Sequence, residues 1–403
     1  MTTTINNEHK KLNVPNLRFK EFQEVWEKKT IGEIATIKNG PFGSVLHAED
    51  YVDEGMPIVT TEHFKNGSLP LSKNGIPQVS EDDYCRLKGY QLETDDIVFS
   101  RVGSVDINAH VEQVQQGWLF SGRVLRVRPI KPVNSRCLHY VLSTETVKRD
   151  IRNRAVGQTM PSINTPILSN TKIYMPQSEV EQKKIATLFQ LLDERIATQN
   201  KIIEDLKKLK CAIIEKVYSE IQGKEYSYGQ LFDVVNERNK QMEYSNILSA
   251  SQEKGMVNRE DLNLDIQFER NNINTYKIVR EGDYVIHLRS FQGGFAFSDK
   301  LGVCSPAYTI LRPNNLLEYG YLSNYFTSQR FIKSLIIVTY GIRDGRSINV
   351  DEWFNMKISI PSREHQRYIV KVIGSFERKI ENEEAYAAHL SKQKQYLLRQ
   401  IFV

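Results

Sequence analysis

Several arginines of this 403-residue chain lie in glycine-containing stretches, where their side chains could bind an anionic ligand. Arg101 and Arg289 lie in two such stretches, and a third holds Arg343 and Arg346. A guanidinium can donate two parallel hydrogen bonds to a guanine edge, and it also neutralises phosphates. The alternative for each arginine is a solvated cation or a structural ion pair, for example with Asp344. A formal net charge of +5 favours an anionic partner, although many soluble proteins carry a similar excess.

Catalytic motifs are missing from the sequence. It contains no G-x-x-x-x-G-K-[ST] loop for nucleotide hydrolysis, no Pro-Asp dipeptide of a common nuclease site, and no Asn-Pro-Pro-Tyr or Asp-Pro-Pro-Tyr tetrapeptide of an amino-methyltransferase. The Gly-Gly pair at positions 293 and 294 does not fit the dinucleotide-binding fingerprint and predicts a turn. The cysteines are scattered without metal-ligand spacing, which predicts reduced thiols and no zinc site: Cys85, Cys137, Cys211 and Cys304. The chain is therefore expected to bind a partner rather than to catalyse a reaction.

Composition and length predict a folded protein of two domains. Hydrophobic residues make up 40% of the chain, charged residues 26% and aromatic residues 10%, which is typical of soluble globular proteins. The first eleven residues lack an apolar signal core, and the aliphatic run Leu335 to Val338 is too short to span a bilayer. We expect a cytoplasmic location.

An internal repeat relates the two halves of the chain. Ser162-Ile163-Asn164 recurs as Ser347-Ile348-Asn349, 185 positions later, and the same offset relates an asparagine, a lysine, an isoleucine and a proline that follow. After the prolines, Pro176 and Pro361, one residue is missing from the second copy, and the offset becomes 184. Both copies then enter a long segment with helical periodicity.

Each of these segments carries a heptad seam, which predicts two matching helices over residues 180 to 220 and 364 to 402. The seam of the first copy consists of Ile185, Phe189, Leu192, Ile196, Gln199, Ile203, Leu206, Lys210, Ile213 and Val217. The seam of the second consists of Ile369, Ile373, Phe376, Ile380, Glu383, Ala387, Leu390, Lys394, Leu397 and Ile401. The two copies are polar at the same two places. A helix of this length with one apolar stripe needs a partner, and the matching helix is the obvious one.

The polar seam positions predict an antiparallel coiled coil. A parallel register would oppose Lys210 to Lys394, which is repulsive. One antiparallel register instead sets Lys210 against Glu383 and Gln199 against Lys394. We therefore expect that register.

The beginnings of the two helices are also marked in the sequence. Ser178 and Ser362 can cap them, and Ser178 with Glu181 fits a capping box. We expect Gln182 and Gln366 to serve the start of each helix rather than a ligand.

The remaining sequence predicts two small mixed α/β (α+β) domains, each with a twisted sheet, because short β-branched runs alternate with Gly, Pro, Asn and Asp. Examples of such strand runs are Asp96-Ile97-Val98-Phe99, Val124-Leu125-Arg126-Val127 and Asp283-Tyr284-Val285-Ile286. Landmarks recur in both, such as an aspartate before a strand, Asp96 in one and Asp283 in the other. The sequences between the landmarks differ, as two recognition modules of different specificity require. The expected division is 1–177 for the first domain, 178–222 for the central helix, 223–362 for the second domain and 363–403 for the last helix.

Taken together, these features resemble the specificity subunits of type I restriction-modification systems. The resemblance covers essentially the whole chain. It is carried by the repeat, the two Pro-to-Gln-to-Ile helix starts, the segment Pro15-Asn-Leu-Arg-Phe-Lys-Glu-Phe22 with Trp26, and the Phe42-Gly43-Ser44 loop.

The resemblance implies a non-catalytic subunit. It would bind two methyltransferase subunits through its helices and, in the full complex, motor-nuclease subunits. Each domain would read one half of a split, asymmetric site on double-stranded DNA, and the helices would set the gap between the halves. S-adenosylmethionine, ATP and Mg would belong to the partners, with no cofactor or metal in this chain. The residue lost before the second helix argues against perfect two-fold symmetry of the methyltransferase docking surfaces.

Loops with basic, glycine and amide residues are where we expect DNA contacts, with cations on phosphates and a few polar side chains on base edges. In the first domain the expected residues are Lys38, Asn39, Phe42, Ser44, Thr61, His63, Lys65, Asn66, Arg101, Ser104, Gln158 and Thr159. In the second they are Arg289, Ser290, Gln292, Tyr340, Arg343, Asp344 and Arg346.

Two other functions remain open at this point. One is a self-contained DNA-modifying enzyme with an unrecognised site, which turnover by the purified chain would identify. The other is a coiled-coil adaptor that never contacts DNA, which the absence of any DNA protection by the reconstituted complex would identify.

Overall fold

The computed structural model describes residues 2–3, 13–41, 50–251, 254–261, 270–287, 294–340 and 347–403. The chain divides into two compact units, and both are mixtures of helices and sheets, as predicted. Unit 1 consists of Met1–Thr198 and Tyr386–Val403, and unit 2 of Gln199–Ala385. The unit boundaries fall inside the two long helices, so each helix contributes residues to both units.

The elements of unit 1 are short except for the long helix. Its strands are β1 (Thr2–Thr3), β2 (Leu17–Arg18), β3 (Glu27–Thr30), β4 (Ala35–Asn39), β5 (Tyr51–Val52), β6 (Met56–Val59), β7 (Gln78–Val79), β8 (Ile97–Ser100), β9 (Asn108–His110), β10 (Leu119–Phe120), β11 (Val124–Pro129) and β12 (Lys172–Met175). Its helices are α1 (Ile31–Ile34), α2 (Glu81–Arg86), α3 (Ser135–Leu142), α4 (Glu145–Arg154) and α5 (Thr165–Ser169). Helix α6 (Glu179–Glu220) begins in unit 1 and ends in unit 2.

Unit 2 is built in the same way. Its strands are β13 (Lys224–Ser227), β14 (Phe232–Val235), β15 (Leu248–Ser251), β16 (Gly255–Asn258), β17 (Lys277–Val279), β18 (Tyr284–Ile286), β19 (Phe295–Phe297), β20 (Gly302–Cys304), β21 (Thr309–Pro313), β22 (Thr339–Tyr340), β23 (Ser347–Ile348) and β24 (Lys357–Ile360). Its helices are α7 (Gln329–Ser334) and α8 (Val350–Asn355), and α9 (Arg363–Ile401) begins in unit 2 and ends in unit 1.

Each unit contains a four-stranded antiparallel sheet of the same order. The order is β4-β11-β8-β9 in unit 1 and β14-β21-β18-β19 in unit 2. The alternation of side chains on β11 explains how the sheet of unit 1 is covered on both faces. Leu125 and Val127 pack into the cluster that contains Trp26 and Phe189, whereas Val124 packs into a second cluster on the other face.

A buried ion pair fastens the equivalent strands of each sheet. Asp96, 1% exposed, accepts hydrogen bonds of 2.7 and 2.8 Å from Arg128. Asp283, 2% exposed, accepts two of 2.9 Å from Arg312. The hydrogen bonds to these carboxylates raise the pKa of both arginines. The predicted aspartate before a strand is confirmed in both units, and its role is to tie that strand to its neighbour.

The two long helices bury the predicted seam. Helix α6 has 42 residues and α9 has 39, and none of the twenty seam positions is exposed. Within unit 1 the residue that follows α9 completes the core, because the Phe402 ring lies 5.9 Å from Trp26 and 5.7 Å from Phe189. The first unit therefore depends on the last residues of the chain.

The helices pair in opposite directions within each unit, but the register predicted from the polar positions is wrong. In unit 2, Gln199 Nε2 donates to the carbonyl and carboxylate oxygens of Glu383, 184 positions away in the sequence. Lys210 Nζ donates to Glu377 at 2.7 Å rather than to Glu383. In unit 1, Lys394 pairs with Asp193 at 2.5 Å rather than with Gln199.

The reason for the different register is the relative size of the two effects. A half-exposed ion pair contributes up to about 1 kcal/mol. Burying one Leu or Ile side chain contributes about 1.5–3 kcal/mol, so the apolar seam sets the register. The long lysine side chains then reach whichever carboxylate that register brings near.

The starts of the long helices follow the sequence prediction in part. Ser178 Oγ accepts from the Glu181 N–H at 3.4 Å, but the Glu181 carboxylate binds Arg18 instead of closing a capping box. Gln182 and Gln366 are buried and serve the helix starts, as predicted. The amide nitrogen of each donates to the carbonyl of the proline before its helix, at 2.9 and 3.0 Å.

Two chain segments cross closely at the end of β4. A Cβ atom on Gly40 would lie 2.0 Å from the Ser121 carbonyl oxygen, and one on Gly122 would lie 2.2 Å from that of Pro41. Glycine is required at both positions because a backbone oxygen occupies the space that a side chain would need. The crossing fixes the path by which the chain leaves β4 and enters β11.

We expect Lys210→Met and Glu377→Gln to be coupled by about 0.5 kcal/mol in a double-mutant cycle on the free energy of unfolding, because they remove the two partners of one ion pair. Lys210→Met with Glu383→Gln is the control cycle and should be additive. Coupling to Glu383 with none to Glu377, measured in urea titrations, would contradict the observed register.

We expect Gly122→Ala to lower the free energy of unfolding by about 2–3 kcal/mol, because the added methyl group overlaps the Pro41 carbonyl. Gly103→Ala is the control. Gly103 has a φ of +83°, and a Cβ there would meet no atom within 4 Å, so only backbone strain of about 1 kcal/mol is expected. Equal losses for the two variants would show that the crossing is not tightly packed.

Candidate nucleic-acid interface

The two equivalent sheets, β4-β11-β8-β9 and β14-β21-β18-β19, each have several connections between strands at the same end. In unit 1 this end holds the last residues of β4 and β8 and the first residues of β11 and β9. In unit 2 it holds the last residues of β14 and β18 and the first residues of β21 and β19. We call this end of each sheet its loop end.

Arg101 lies at the loop end of unit 1, directly after β8. Its backbone N–H donates to the Arg123 carbonyl at 3.0 Å, and its Nη1 donates to the Gly122 carbonyl at 3.0 Å. Ser104 is exposed on the same connection. The guanidinium is thus oriented by the neighbouring connection between β10 and β11.

A short hairpin over residues 156–162 brings two distant predicted residues to the same place. Its two ends exchange backbone hydrogen bonds of 2.8 and 2.9 Å. The Gly103 N–H donates to the Pro161 carbonyl at 2.8 Å, which joins the hairpin to the connection after β8. Gln158 and Thr159 are exposed on this hairpin. The structure therefore groups them with Arg101 and Ser104.

The segment that follows β6 also reaches this loop end, because the Ser121 N–H donates to the Val59 carbonyl at 2.8 Å. His63 closes the turn of this segment: its Nδ1 accepts from the Thr60 N–H at 3.0 Å. Burial lowers the pKa of His63, which favours the neutral ring that such a bond requires. His63 therefore has a local structural role.

The other predicted residues of this segment are more open. Thr61 is half-buried, Asn66 is exposed, and Lys65 is exposed and paired with Glu62. An exposed ion pair of this kind is weak, so Lys65 can exchange its partner for a phosphate at little cost.

The two predicted residues on β4 have contacts inside the unit. Lys38 Nζ donates to the Gly89 carbonyl at 2.7 Å and lies 4.7 Å from the centre of the Tyr90 ring. Asn39 Oδ1 accepts from the Thr165 hydroxyl at 3.2 Å. These contacts position the end of β4.

Tyr340 is the predicted contact of unit 2 that lies within the described residues. It ends β22, where it pairs with Ser347 of β23. The remaining predicted contacts of both units lie outside the described residues: Phe42, Ser44, Arg289, Ser290, Gln292, Arg343, Asp344 and Arg346.

Two arginines at the loop ends were missed by the sequence analysis. Arg123 is exposed in unit 1, between the crossing at Gly122 and the start of β11. Arg238 is exposed in unit 2, just after β14. The signal that would have found them is adjacency to a strand end, because the start of β11 was predicted correctly.

The described residues contain no group of three or more His, Cys, Asp or Glu side chains that could hold a metal ion. Burial raises the pKa of Cys137 and raises that of Cys304 to about 12, so both thiols stay protonated near neutral pH. No helix in the described parts is long and apolar enough to cross a membrane.

Comparisons with known proteins agree with the repeated architecture. The family model described as type I restriction modification DNA specificity domain matches the chain twice, at residues 23–208 and 223–391. A putative type I restriction enzyme MjaX specificity subunit from Methanocaldococcus jannaschii is 25% identical over 97% of this chain and 96% of its own length. The MjaVIII specificity subunit from the same organism is 24% identical over 48% of this chain and 45% of its own.

A solved structure shows the same fold. The crystal structure of the type I restriction-modification S subunit from M. genitalium aligns over 96% of this chain and 99% of its own, with a TM-score of 0.56 and 15% identity. The two matches of the family model together cover most of the sequence. The chain therefore belongs to the type I restriction-modification DNA specificity family.

Proposed function

We propose that this chain reads a bipartite, asymmetric site on double-stranded DNA, one half with each unit. The observation that carries the proposal is the repeated loop end. Both units hold the same four-stranded sheet, and the connections at its loop end differ in sequence between the units. A constant scaffold with variable loops is what two readers of different half-sites require.

The chemistry of the loop end in unit 1 fits a duplex. The exposed cation Arg123 suits phosphates, while Arg101 and the amide of Gln158 suit base edges. The Gly122 carbonyl orients the Arg101 guanidinium before DNA arrives, which lowers the entropy lost on binding.

The long helices are proposed to dock two methyltransferase subunits and to set the spacing of the half-sites, with motor-nuclease subunits added in the full complex. Large apolar side chains outside the seam support this role. Leu191 is 59% exposed, Leu209 48%, Tyr368 65% and Tyr396 55%. Such side chains on a helix pair suit a permanent protein interface.

Catalysis is assigned to the partners in this proposal, which would bring S-adenosylmethionine, ATP and Mg. The purified chain alone is then expected neither to methylate nor to cut DNA. Turnover by the chain without partners would favour the alternative of a self-contained DNA-modifying enzyme.

We expect Arg101→Ala to weaken binding of the methyltransferase complex to its site by about tenfold through one half-site only, because Arg101 is proposed to contact a base edge there. The measurement compares duplexes in which one half-site is scrambled. Wild type and variant should bind alike when the half read by unit 1 is scrambled, and should differ when the other half is scrambled. Lys131→Ala removes an exposed cation that follows the last residue of β11 by two positions, at the opposite end of the same sheet, and should bind like wild type.

The corresponding double variant of unit 2, Arg343→Ala with Arg346→Ala, should weaken binding through the other half-site only. A uniform loss across both half-sites, or no loss in either variant, would count against reading by separate units.

A further inference from the structure

The hairpin over residues 156–162 presents apolar side chains at the loop end of unit 1. Val156 is 65% exposed and Met160 is 61% exposed, and the three residues between them are exposed as well. A single exposed hydrophobic residue needs no explanation, but two on one small hairpin form a local apolar tip.

The hairpin is held in one conformation. The backbones of Val156 and Ser162 exchange hydrogen bonds of 2.8 and 2.9 Å. The N–H of Gly103, outside the hairpin, donates to the Pro161 carbonyl at 2.8 Å. Gly157 has a φ of +102°, and a Cβ there would lie 2.7 Å from the Met160 carbonyl oxygen. Because all of these contacts lie within unit 1, the tip can be used in binding with little loss of conformational entropy.

The surroundings of the tip are polar and basic. Arg101 and Ser104 lie on the adjoining connection. Helix α4 leads directly into the hairpin and carries exposed Arg149, and its Arg152 is paired with Asp106 of that connection. Methionine and arginine also occur in protein interfaces, but this tip lies at the loop end that the proposed function assigns to DNA. A duplex offers phosphates around one kind of apolar spot in its major groove, the C5-methyl group of thymine.

We infer that the 156–162 hairpin reads a thymine, with Met160 in contact with its methyl group and Val156 beside it. This inference rests on the proposed function, because it names one base contact within the half-site of unit 1. Met160 thereby becomes a specificity-determining residue that residue type alone would not select.

The test removes the methyl group from the DNA. Each thymine of the half-site read by unit 1 is replaced in turn by deoxyuridine, and binding of the methyltransferase complex is measured. At one position the wild-type affinity should fall about fourfold, the effect of one buried methyl group. Met160→Ala should bind thymine and deoxyuridine alike at that position, and Met160→Leu should restore the preference. Leu71→Ala, which removes a 74%-exposed side chain near the opposite end of the sheet, should keep the wild-type preference.

Three results would overturn the inference. One is the absence of any thymine at which wild type and Met160→Ala differ. Another is a loss of preference in Leu71→Ala as well. The third is weaker association of Met160→Ala with the methyltransferase subunits while its thymine preference is unchanged, which would make the hairpin a protein contact. In each case sequence-specific binding through both half-sites can persist, whereas its loss in the wild-type complex would refute the proposed function itself.

Discussion

The pairing of the two long helices is the constraint on which both units depend. Each helix has one apolar stripe, and an isolated helix of this kind would leave that stripe in water. The first part of α6 and the last part of α9 complete unit 1, where Phe402 packs on Trp26 and Phe189. The second part of α6 and the first part of α9 complete unit 2, where Gln199 meets Glu383. Because unit 1 combines residues before the middle of α6 with the last part of α9, its core closes only when both parts of the chain are present.

This arrangement separates stability from specificity. The buried pairs Asp96 with Arg128 and Asp283 with Arg312 lock the sheets internally. Removing one partner of such a pair leaves a buried charge, which is expensive, so these positions tolerate little change. Apart from the crossing at Gly40 and Gly122, the connections at the loop ends lie outside these pairs, and their side chains can differ between the units without loss of the fold.

The sequence predicted the parts of the structure that obey a regular period. The spacing of apolar residues predicted the seam of α6 and α9, and it also predicted the strands that begin at Ile97, Val124 and Tyr284. Such spacing indicates which side chains are buried. The direction of helix pairing also followed, but the register did not. The predicted register was wrong because it was derived from the charge of Lys210. The buried seam residues contribute more free energy than the half-exposed ion pair of Lys210 and therefore set the register.

Contacts of loop side chains were predicted less well. The sequence predicted Arg101 and Gln158 as DNA contacts but did not predict that they lie close together. They do so because the Gly103 N–H donates to the Pro161 carbonyl, and this hydrogen bond has no sequence signature. His63 and Lys38 have the residue types of DNA contacts, but the structure gives them internal partners. Arg123 was overlooked although it follows Gly122, because it immediately precedes the apolar run of β11.

Footprinting of the complex reconstituted with the proposed methyltransferase partners tests the central claim most directly. The target is found first by mapping methylated adenines in the host genome, and protection is then read base by base on a duplex that contains it. Two units that each read a half-site predict two short protected blocks of different sequence, separated by a gap whose sequence can be varied freely. A single protected block, or a gap whose sequence alters binding as strongly as the blocks do, would contradict the account.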